Sequence, residues 1–321
     1  MFIGKATKLF KRLVRKLSCQ AMEPPATKAS TTWEEWSIGI YGGTSPFNLE
    51  PLPSVANPVL TRHDVLDVPA LLVADPFMLR TPRMWFMFFE VMNQRSGKGE
   101  IALASSENGA RWAYEQIILT EPFHLSYPYV FDWMGEYYMI PESFKAGSIR
   151  LYRAVNFPTQ WQFVATLLEG PVFLDSSIFR YNDRWWLFTE TNPLHKYDTL
   201  RLYYADNLLG PWVEHPKSPI IEDNPHIARP AGRILTLKDS IIRYAQDCYP
   251  NYGTQVRAFE VTELTLTSYT ERQVSENPVI SGSGSGWNAG GMHQVDPHPM
   301  GDKHWIACVD GWSRVEIQTG A

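Results

Sequence analysis

The chain has 321 residues, with 29 basic and 34 acidic side chains, a formal net charge of −5, 44% hydrophobic residues and 12 Trp. The length admits one large β domain or two smaller ones, and the acidic balance leaves no electrostatic case for nucleic acid. Three cysteines, Cys19, Cys248 and Cys308, make an odd number with no metal-ligand spacing, which points to a reducing, cytoplasmic location.

Residues 1–20 differ in kind from the rest. Phe2, Ile3, Ala6, Leu9, Phe10, Leu13, Val14 and Leu17 recur at helical spacing, while Lys5, Lys8, Lys11, Arg12, Arg15 and Lys16 take the other face. This reads as a basic amphipathic helix that adsorbs to an anionic membrane face, or binds a partner helix, or is a plain tail. It carries no unbroken apolar run, so neither a signal peptide nor a spanning helix is expected. Without those six cations the remainder holds 23 basic and 34 acidic side chains. Residues 21–32 read as a Pro-bearing linker, and residues 33–321 as a single domain.

Within that domain one plan recurs. Val73–Glu90 is a short apolar run carrying Asp75, a polar turn, and an aromatic run that stops at an acid. Pro128–Glu142, Leu174–Glu190, Ala228–Asp247 and Met292–Asp310 repeat the outline, their terminal acids falling 48 to 63 residues apart. Between them lie alternating segments that begin Gly99-Glu-Ile-Ala-Leu, Ser148-Ile-Arg-Leu-Tyr, Thr199-Leu-Arg-Leu-Tyr and Thr254-Gln-Val-Arg-Ala, three of them followed by Trp112, Trp161 and Trp212. Two hairpins per repeat and this period predict an all-β chain, a five-bladed β-propeller of four-stranded blades. The fifth hairpin lacks an outer partner downstream, so the strands expected in Trp36–Tyr41, Pro46–Leu49 and Asn57–Leu60 complete the last blade and close the ring. Most aromatics then serve blade packing. Ser281–Gly286, next to the fifth inner hairpin, is either a mobile lip or an ordinary surface connection.

The first strand of each blade runs along the central channel, so polar residues there converge. Asp75, Asp175, Arg229 and His293 hold comparable positions in blades one, three, four and five, and blade two offers Ser126, Tyr127 and Tyr129. Two such carboxylates suit glycosidic-bond chemistry, Asp75 as base or nucleophile and Asp175 as acid. An Asp-Pro turn cap and a strand-end hydrogen bond are the structural alternatives. Glu90, Glu142, Glu190 and Asp247 end the second strands, which suggests the opposite end of the channel and roles in capping or ion pairing. Glu142, in Pro141-Glu-Ser143, is the exception retained as a third catalytic candidate, and Glu90 and Glu190 as substrate contacts. Arg229 and Arg233 are read as holders of an anionic substrate group, or as salt-bridge partners. Tyr127, Arg153, Gln246, His124 and His293 are read as sugar contacts. No cofactor is expected; His293, Asp296 and His298 offer a channel metal ion only if His293 is not a satisfied core histidine.

Ala74-Asp75-Pro76-Phe77 resembles the catalytic-base motif in blade one of family 43 glycoside hydrolases, five-bladed propellers acting on furanosides and pentose polymers. The chain resembles more closely the N-terminal propeller region of plant glucosamine inositolphosphorylceramide transferases and its free-standing bacterial relatives. Trp36-Ser-Ile-Gly-Ile-Tyr41, Asn57-Pro-Val-Leu60, His124-Leu-Ser-Tyr-Pro-Tyr-Val-Phe131, Leu151-Tyr-Arg-Ala-Val-Asn-Phe-Pro158, Leu209-Gly-Pro-Trp212 and Gln246-Asp-Cys248 carry that resemblance. In those plant proteins the propeller precedes a separate glycosyltransferase domain. Two positions depart from the hydrolase pattern: Tyr129 stands for the Asp that tunes the acid, and Asp175 lies one position from the acid Glu. The resemblance implies either a monomeric glycan-active propeller that hydrolyses or transfers a glycosyl unit, or a non-catalytic sugar-binding one serving a glycosyltransferase.

Overall fold

Alternating apolar residues and tight polar turns fold the chain into antiparallel hairpins that stack side by side. The computed structural model describes residues 31–317 apart from Asp239 and Asp302, with the backbone alone at Thr31, Glu316 and Ile317. The basic helix expected over 1–20 lies outside the described residues, as does most of the expected linker, and strand begins at Thr31.

The first strands are β1 (Thr31–Ser45) and β2 (Asn48–Pro51). Blade one follows as β3 (Ala70–Arg80), β4 (Trp85–Asn93), β5 (Lys98–Ser106) and β6 (Ala113–Leu119). Blade two is β7 (Ser126–Trp133), β8 (Glu136–Glu142), β9 (Ser148–Asn156) and β10 (Gln160–Glu169). Blade three is β11 (Leu174–Tyr181), β12 (Arg184–Glu190), β13 (Leu200–Ala205) and β14 (Val213–Glu214). Blade four has β15 (Arg229–Pro230), β16 (Leu235–Thr236), β17 (Ile241–Asp247), β18 (Gln255–Leu264), β19 (Tyr269–Gln273) and β20 (Ile280–Ser281), and blade five opens with β21 (Val295–Gly301) and β22 (His304–Ile317).

Five antiparallel sheets result, the blades of a five-bladed propeller. The last is ordered β2-β1-β22-β21, so the front of the chain supplies the outer half of blade five. Blade four departs from a plain four-stranded plan because both its innermost and outermost strands are interrupted: β15 and β16 pair with β17 in turn, and β19 and β20 with β18. Gly232 is the cause of the inner break. At φ 143° it bridges Val295 of blade five in parallel, and a Cβ there would sit 1.8 Å from the Val295 carbonyl oxygen.

Apolar clusters fill the seams between blades. Phe77, Phe88, Tyr129, Ile140, Ile178 and Leu187 belong to one that joins blades one to three. Ile38, Met87 and Ile306 join blade one to blade five, and Phe188, Leu202 and Ile241 join blade three to blade four. Burying such side chains contributes roughly 1.5–3 kcal/mol each, so the stacking of blades outweighs any single hydrogen bond at the channel. Arg243 is fully buried in blade four, where it makes 2.8 and 2.6 Å bonds to Glu271 and lies over Phe259. No helix among the described residues is long and apolar enough to cross a membrane.

The inner strands of blades one, two and three share a device that shapes the site. Each carries one extra residue, between Ala74 and Phe77, Ser126 and Tyr129, and Leu174 and Ser177. Asp75, Tyr127 and Asp175 occupy these bulges with φ of 54°, 43° and 50°. In two of them a proline follows, which has no N–H to give to the ladder and is accommodated at a bulge. Asp tolerates the left-handed region; for Tyr it is sterically costly, so the surroundings must hold Tyr127 there.

Candidate functional site at the channel mouth

In an antiparallel hairpin the end of the second strand faces the start of the first. The pairs Ala74–Glu90, Ser126–Glu142, Leu174–Glu190 and Arg229–Gln246 therefore bring the terminal acids to the same mouth as Asp75 and Asp175. The expectation that those acids lie at the opposite end of the channel is corrected by this register. Asp310, facing Gln294 one step beyond the Val295–Val309 pair, joins them from blade five.

The acids also latch neighbouring blades. Oδ2 of Asp310 accepts the Asp75 N–H at 2.9 Å, Oδ2 of Asp75 accepts the Tyr127 N–H at 3.2 Å, and Oε2 of Glu142 accepts the Asp175 N–H at 3.3 Å. Each link ties a bulge to the blade before it, satisfying backbone donors that the bulge removes from the ladder.

Asp75 is buried, and burial raises its carboxyl to about 7. His293 and Arg229 pull against that rise, while Asp175 and Asp310 add to it. His293 stands between two carboxylates, its Nδ1 2.7 Å from Asp310 Oδ1 and its Nε2 3.6 Å from Asp75 Oδ1. Burial works against the imidazolium, yet Asp310 and Asp75 prevail and the pKa is raised. Trp36 packs against this ring, with centroids 4.1 Å apart, and Tyr252 meets its edge at 5.1 Å.

Asp175 is held by two donors. Its Oδ2 accepts Arg229 Nε at 2.6 Å and Gln246 Nε2 at 2.7 Å, and Gln246 also donates to the Pro230 carbonyl. The Arg229 guanidinium reaches Glu142 Oε2 at 3.6 Å and is walled by Tyr197 and Tyr252, whose ring centroids are 4.7 and 5.0 Å away. Burial drives the Glu142 carboxyl well above its usual range, and the adjacent Asp175 adds to the rise more than Arg229 offsets it. Burial takes Glu190 to about 7, against the Asn192 N–H that its Oε1 accepts at 2.8 Å. Glu90 is likewise raised by burial, with Asp75 and Asp175 adding. Its neighbour His124, with Nε2 3.4 Å away, is lowered by burial to about 4, so that contact is not an ion pair. The Gly99 N–H donates to His124 Nδ1, which assigns the ring proton to Nε2, facing Glu90.

Below the mouth the channel is plugged. The Tyr127 hydroxyl lies 2.8 Å from Ser177 Oγ, accepts the Gly232 N–H at 2.7 Å and donates to the Gly232 carbonyl at 3.1 Å. These bonds, with Phe77 edge-on at 4.9 Å, are what hold its strained backbone. Tyr127, not Tyr129, thus occupies the bulge that corresponds to Asp75 and Asp175. Tyr129 packs instead against Arg233.

Further along, Arg233 spans four blades. It pairs with Asp296 through Nε at 2.7 Å and donates to the carbonyls of Val130 and Met78 at 2.9 and 3.0 Å. Asp296 also accepts the Met78 N–H at 2.6 Å and meets His298 at 2.9 Å. Although burial opposes it, Arg233 and His298 hold this carboxyl down at about 2. Arg233 is a strut of the ring, therefore, and the set His293, Asp296 and His298 does not converge. Among the described residues, the ligand atoms that do come together, within 4.8 Å, belong to Asp75, His293 and Asp310.

Of the residues expected at the site, Asp75, Glu90, Glu142, Asp175, Glu190, Arg229, Gln246 and His293 are assembled at the mouth, and Tyr127 forms its floor. Arg153 is not among them: it is exposed on β9, the third strand of blade two. Asp247 is engaged by His226, Gln255 and Arg257 on blade four. Sequence reading passed over Asp310, Tyr197 and Tyr252 as site residues. Asp310 was readable as fifth in the series of terminal acids; the two tyrosines sit in irregular loops with no period to mark them.

A family model described as glucosamine inositolphosphorylceramide transferase 1, N-terminal, matches residues 30–312. The glucosamine inositolphosphorylceramide transferase 1 of Oryza sativa subsp. japonica is 36% identical over 296 residues, covering 86% of this chain and 40% of the relative. That of Arabidopsis thaliana is 34% identical, covering 86% and 39%. The chain thus spans about two-fifths of the length of these relatives. Among solved structures it is similar in fold to a β-1,2-mannobiose phosphorylase from Listeria innocua, with a TM-score of 0.60 and 11% identity over 84% of this chain and 96% of that one. A thermostable family-43 glycoside hydrolase gives a TM-score of 0.57 and 15% identity over 84% and 95%.

Proposed function

This chain belongs to the family of glucosamine inositolphosphorylceramide transferase N-terminal domains, and on that premise we propose that its propeller acts on carbohydrate, cleaving or transferring a glycosyl unit at the channel mouth. The observation that carries the reading is the gathering of two buried acids at one mouth, Asp75 beside His293 and Glu142 against Asp175 and Arg229, with burial raising the first to about 7 and the second well above the usual carboxylate range. A base near neutrality and an acid that keeps its proton are what glycosidic chemistry requires.

In this assignment Asp75 takes the proton of the attacking hydroxyl, from water or an acceptor sugar. Glu142 gives its proton to the departing glycosidic oxygen. His293, fixed by Asp310, tunes Asp75. Asp175 was the expected acid, but its Oδ2 is occupied by Arg229 and Gln246, which suits anchoring better than proton donation. Tyr197 and Tyr252 offer ring faces beside Arg229 for a sugar to pack on.

One observation favours a second reading, a sugar-binding propeller that assists a glycosyltransferase. Tyr127 occupies the blade-two bulge where a third acid would correspond to Asp75 and Asp175, and it is tied into the plug. Assays of wild type, Asp75→Asn, Glu142→Gln and Asp175→Asn on aryl furanosides and on nucleotide- or lipid-linked sugars separate the two. Loss of turnover by a hundredfold or more in the first two variants is expected. Identical product traces in all four proteins, with sugar binding intact, would remove catalysis and leave the binding module.

A further inference from the structure

The mouth is roofed. Asp75, Glu142, Asp175, Glu190, Arg229 and His293 are each no more than 8% exposed, so in this arrangement a ligand cannot touch the groups assigned to it. The cover comes from three turns, each joining the second strand of a blade to its third. Tyr252, between β17 and β18, meets His293 and Arg229. Tyr197, between β12 and β13, also faces Arg229, and its ring centroid lies 5.6 Å from that of Tyr252. Two residues earlier, His195 stands edge-on to Phe144, between β8 and β9, at 5.4 Å.

The turn that carries His195 and Tyr197 is built in two parts. Its base is fastened. Glu190 Oε1 accepts the N–H groups of Asn192 and Thr199 at 2.8 and 3.4 Å, and the Thr191 N–H donates to the Thr199 carbonyl at 3.0 Å. Asn192 Nδ2 donates to Asp198 Oδ1 at 2.6 Å, and the Asn224 N–H to the Asp198 carbonyl at 3.1 Å.

The tip is held differently. Leu194 there is 73% exposed, and His195 and Tyr197 both take the left-handed backbone, with φ of 53° and 59°. Tyr127 bears the same strain, but three hydrogen bonds at its hydroxyl pin it. The Tyr197 hydroxyl makes no hydrogen bond among the described residues, and ring contacts with Arg229 and Tyr252 are what seat it. The strain of a left-handed Tyr and the attraction of one cation–π contact are of similar size and opposite sign, so the seated and lifted tips lie close in free energy.

We propose that residues 193–197 are a lid on the mouth: pivoting on the fastened base, the tip lifts Tyr197 off Arg229 and His195 off Phe144, and only then does a ligand reach Asp75 and Arg229. This rests on the reading of the mouth as the site but not on catalysis there.

Carboxyl labelling of the full chain with a water-soluble carbodiimide and glycinamide at pH 6, read residue by residue by peptide mass spectrometry, tests it without a sugar. Asp183, with a fully exposed side chain, and Asp296, with a fully buried one, set the ends of the scale. Asp75 is expected to label at least tenfold slower than Asp183 and at least tenfold faster than Asp296. Phe144→Ala removes the seat of His195 and leaves Tyr197 and Arg229 in place; it should speed labelling of Asp75 at least threefold with Asp296 unchanged, and Tyr197→Ala should do so at least as strongly. Asp75 labelling as slowly as Asp296 means a sealed mouth, and as fast as Asp183 an open one. An unchanged Asp75 rate in Phe144→Ala means that Tyr197 is a fixed wall, and a parallel rise at Asp296 that the whole ring has loosened. Each of these four results would overturn the lid. If Phe144→Ala does not fold, Phe144→Leu, which keeps an apolar side chain but no ring, decides by the same reading. Because labelling reads access alone, absent turnover in the catalytic assays leaves a lid standing, and an unchanged rate in Phe144→Ala removes the lid without touching the catalytic reading.

Discussion

Replacing Arg229 by Met tests whether the mouth is held together by charge. In the native protein its guanidinium lies 2.6 Å from Asp175 and 3.6 Å from Glu142, all three residues being buried. Removing one partner of a buried ion pair leaves an uncompensated carboxylate, a loss of about 3–5 kcal/mol. Unfolding entropy near 2.1 cal/mol/K per residue gives about 0.6 kcal/mol/K for a domain of roughly 290 residues, so Tm should fall by about 5–8 °C. Urea or thermal unfolding at pH 7 reads this. The double variant Arg229→Met with Asp175→Asn removes both charges and should regain about 1.5–3 kcal/mol of the loss, the coupling expected of residues in contact. A Tm drop below about 1 °C in the single variant, or strictly additive losses in the double, would refute the claim that this pair is an energetic joint of the ring.

The raised acids predict a pH profile. Asp75 and Glu190 near 7 in the folded protein and about 4 when unfolded mean that the native state binds more protons between those values. Their contribution is whole below pH 4 and is lost as pH rises to 7, by up to about 1.4 kcal/mol per unit for each group. Urea midpoints at pH 5, 6, 7 and 8 should fall, and Asp75→Asn or Glu190→Gln should flatten the decline; a level wild-type profile would contradict the burial argument. Gly232→Ala would push a Cβ against the Val295 carbonyl and should cost about 1–3 kcal/mol in unfolding experiments. Asp296→Asn strips the strut on Arg233, and roughly 3–5 kcal/mol of stability should go without any change in sugar affinity at the mouth; altered affinity would mean the two levels of the channel are coupled.

The blade plan was legible because hairpin strands alternate and terminal acids recur, as Glu90, Glu142 and Glu190 do, at nearly constant spacing. Closure by the front strands followed from an unpaired fifth hairpin, and the order β2-β1-β22-β21 bears it out. What the sequence concealed was register. One extra residue per inner strand decides which side chain turns into the mouth, and nothing in Tyr127-Pro-Tyr129 tells which tyrosine lies on the bulge until the Ser126–Glu142 pair is seen. Arg233 had the composition of a ligand holder; its partners Asp296, Val130 and Met78 come from three other blades, and no local signal predicts such a meeting. Arg153 was drawn in by a motif that it shares with its neighbours Leu151 and Tyr152, whose side chains are buried while its own is exposed.

The seal in blade five sets an order of events for a chain made from its N-terminus. β1 and β2 precede blades one to four in the chain and form a lone ribbon with β1's inner edge bare, while the partner for that edge, β22, follows all four of those blades. Throughout the production of four blades that edge is a template for any passing strand. Ile38 and Ile40, fully covered in the finished ring, sit on that strand, so until β22 docks the bare edge carries apolar side chains that the closed blade hides.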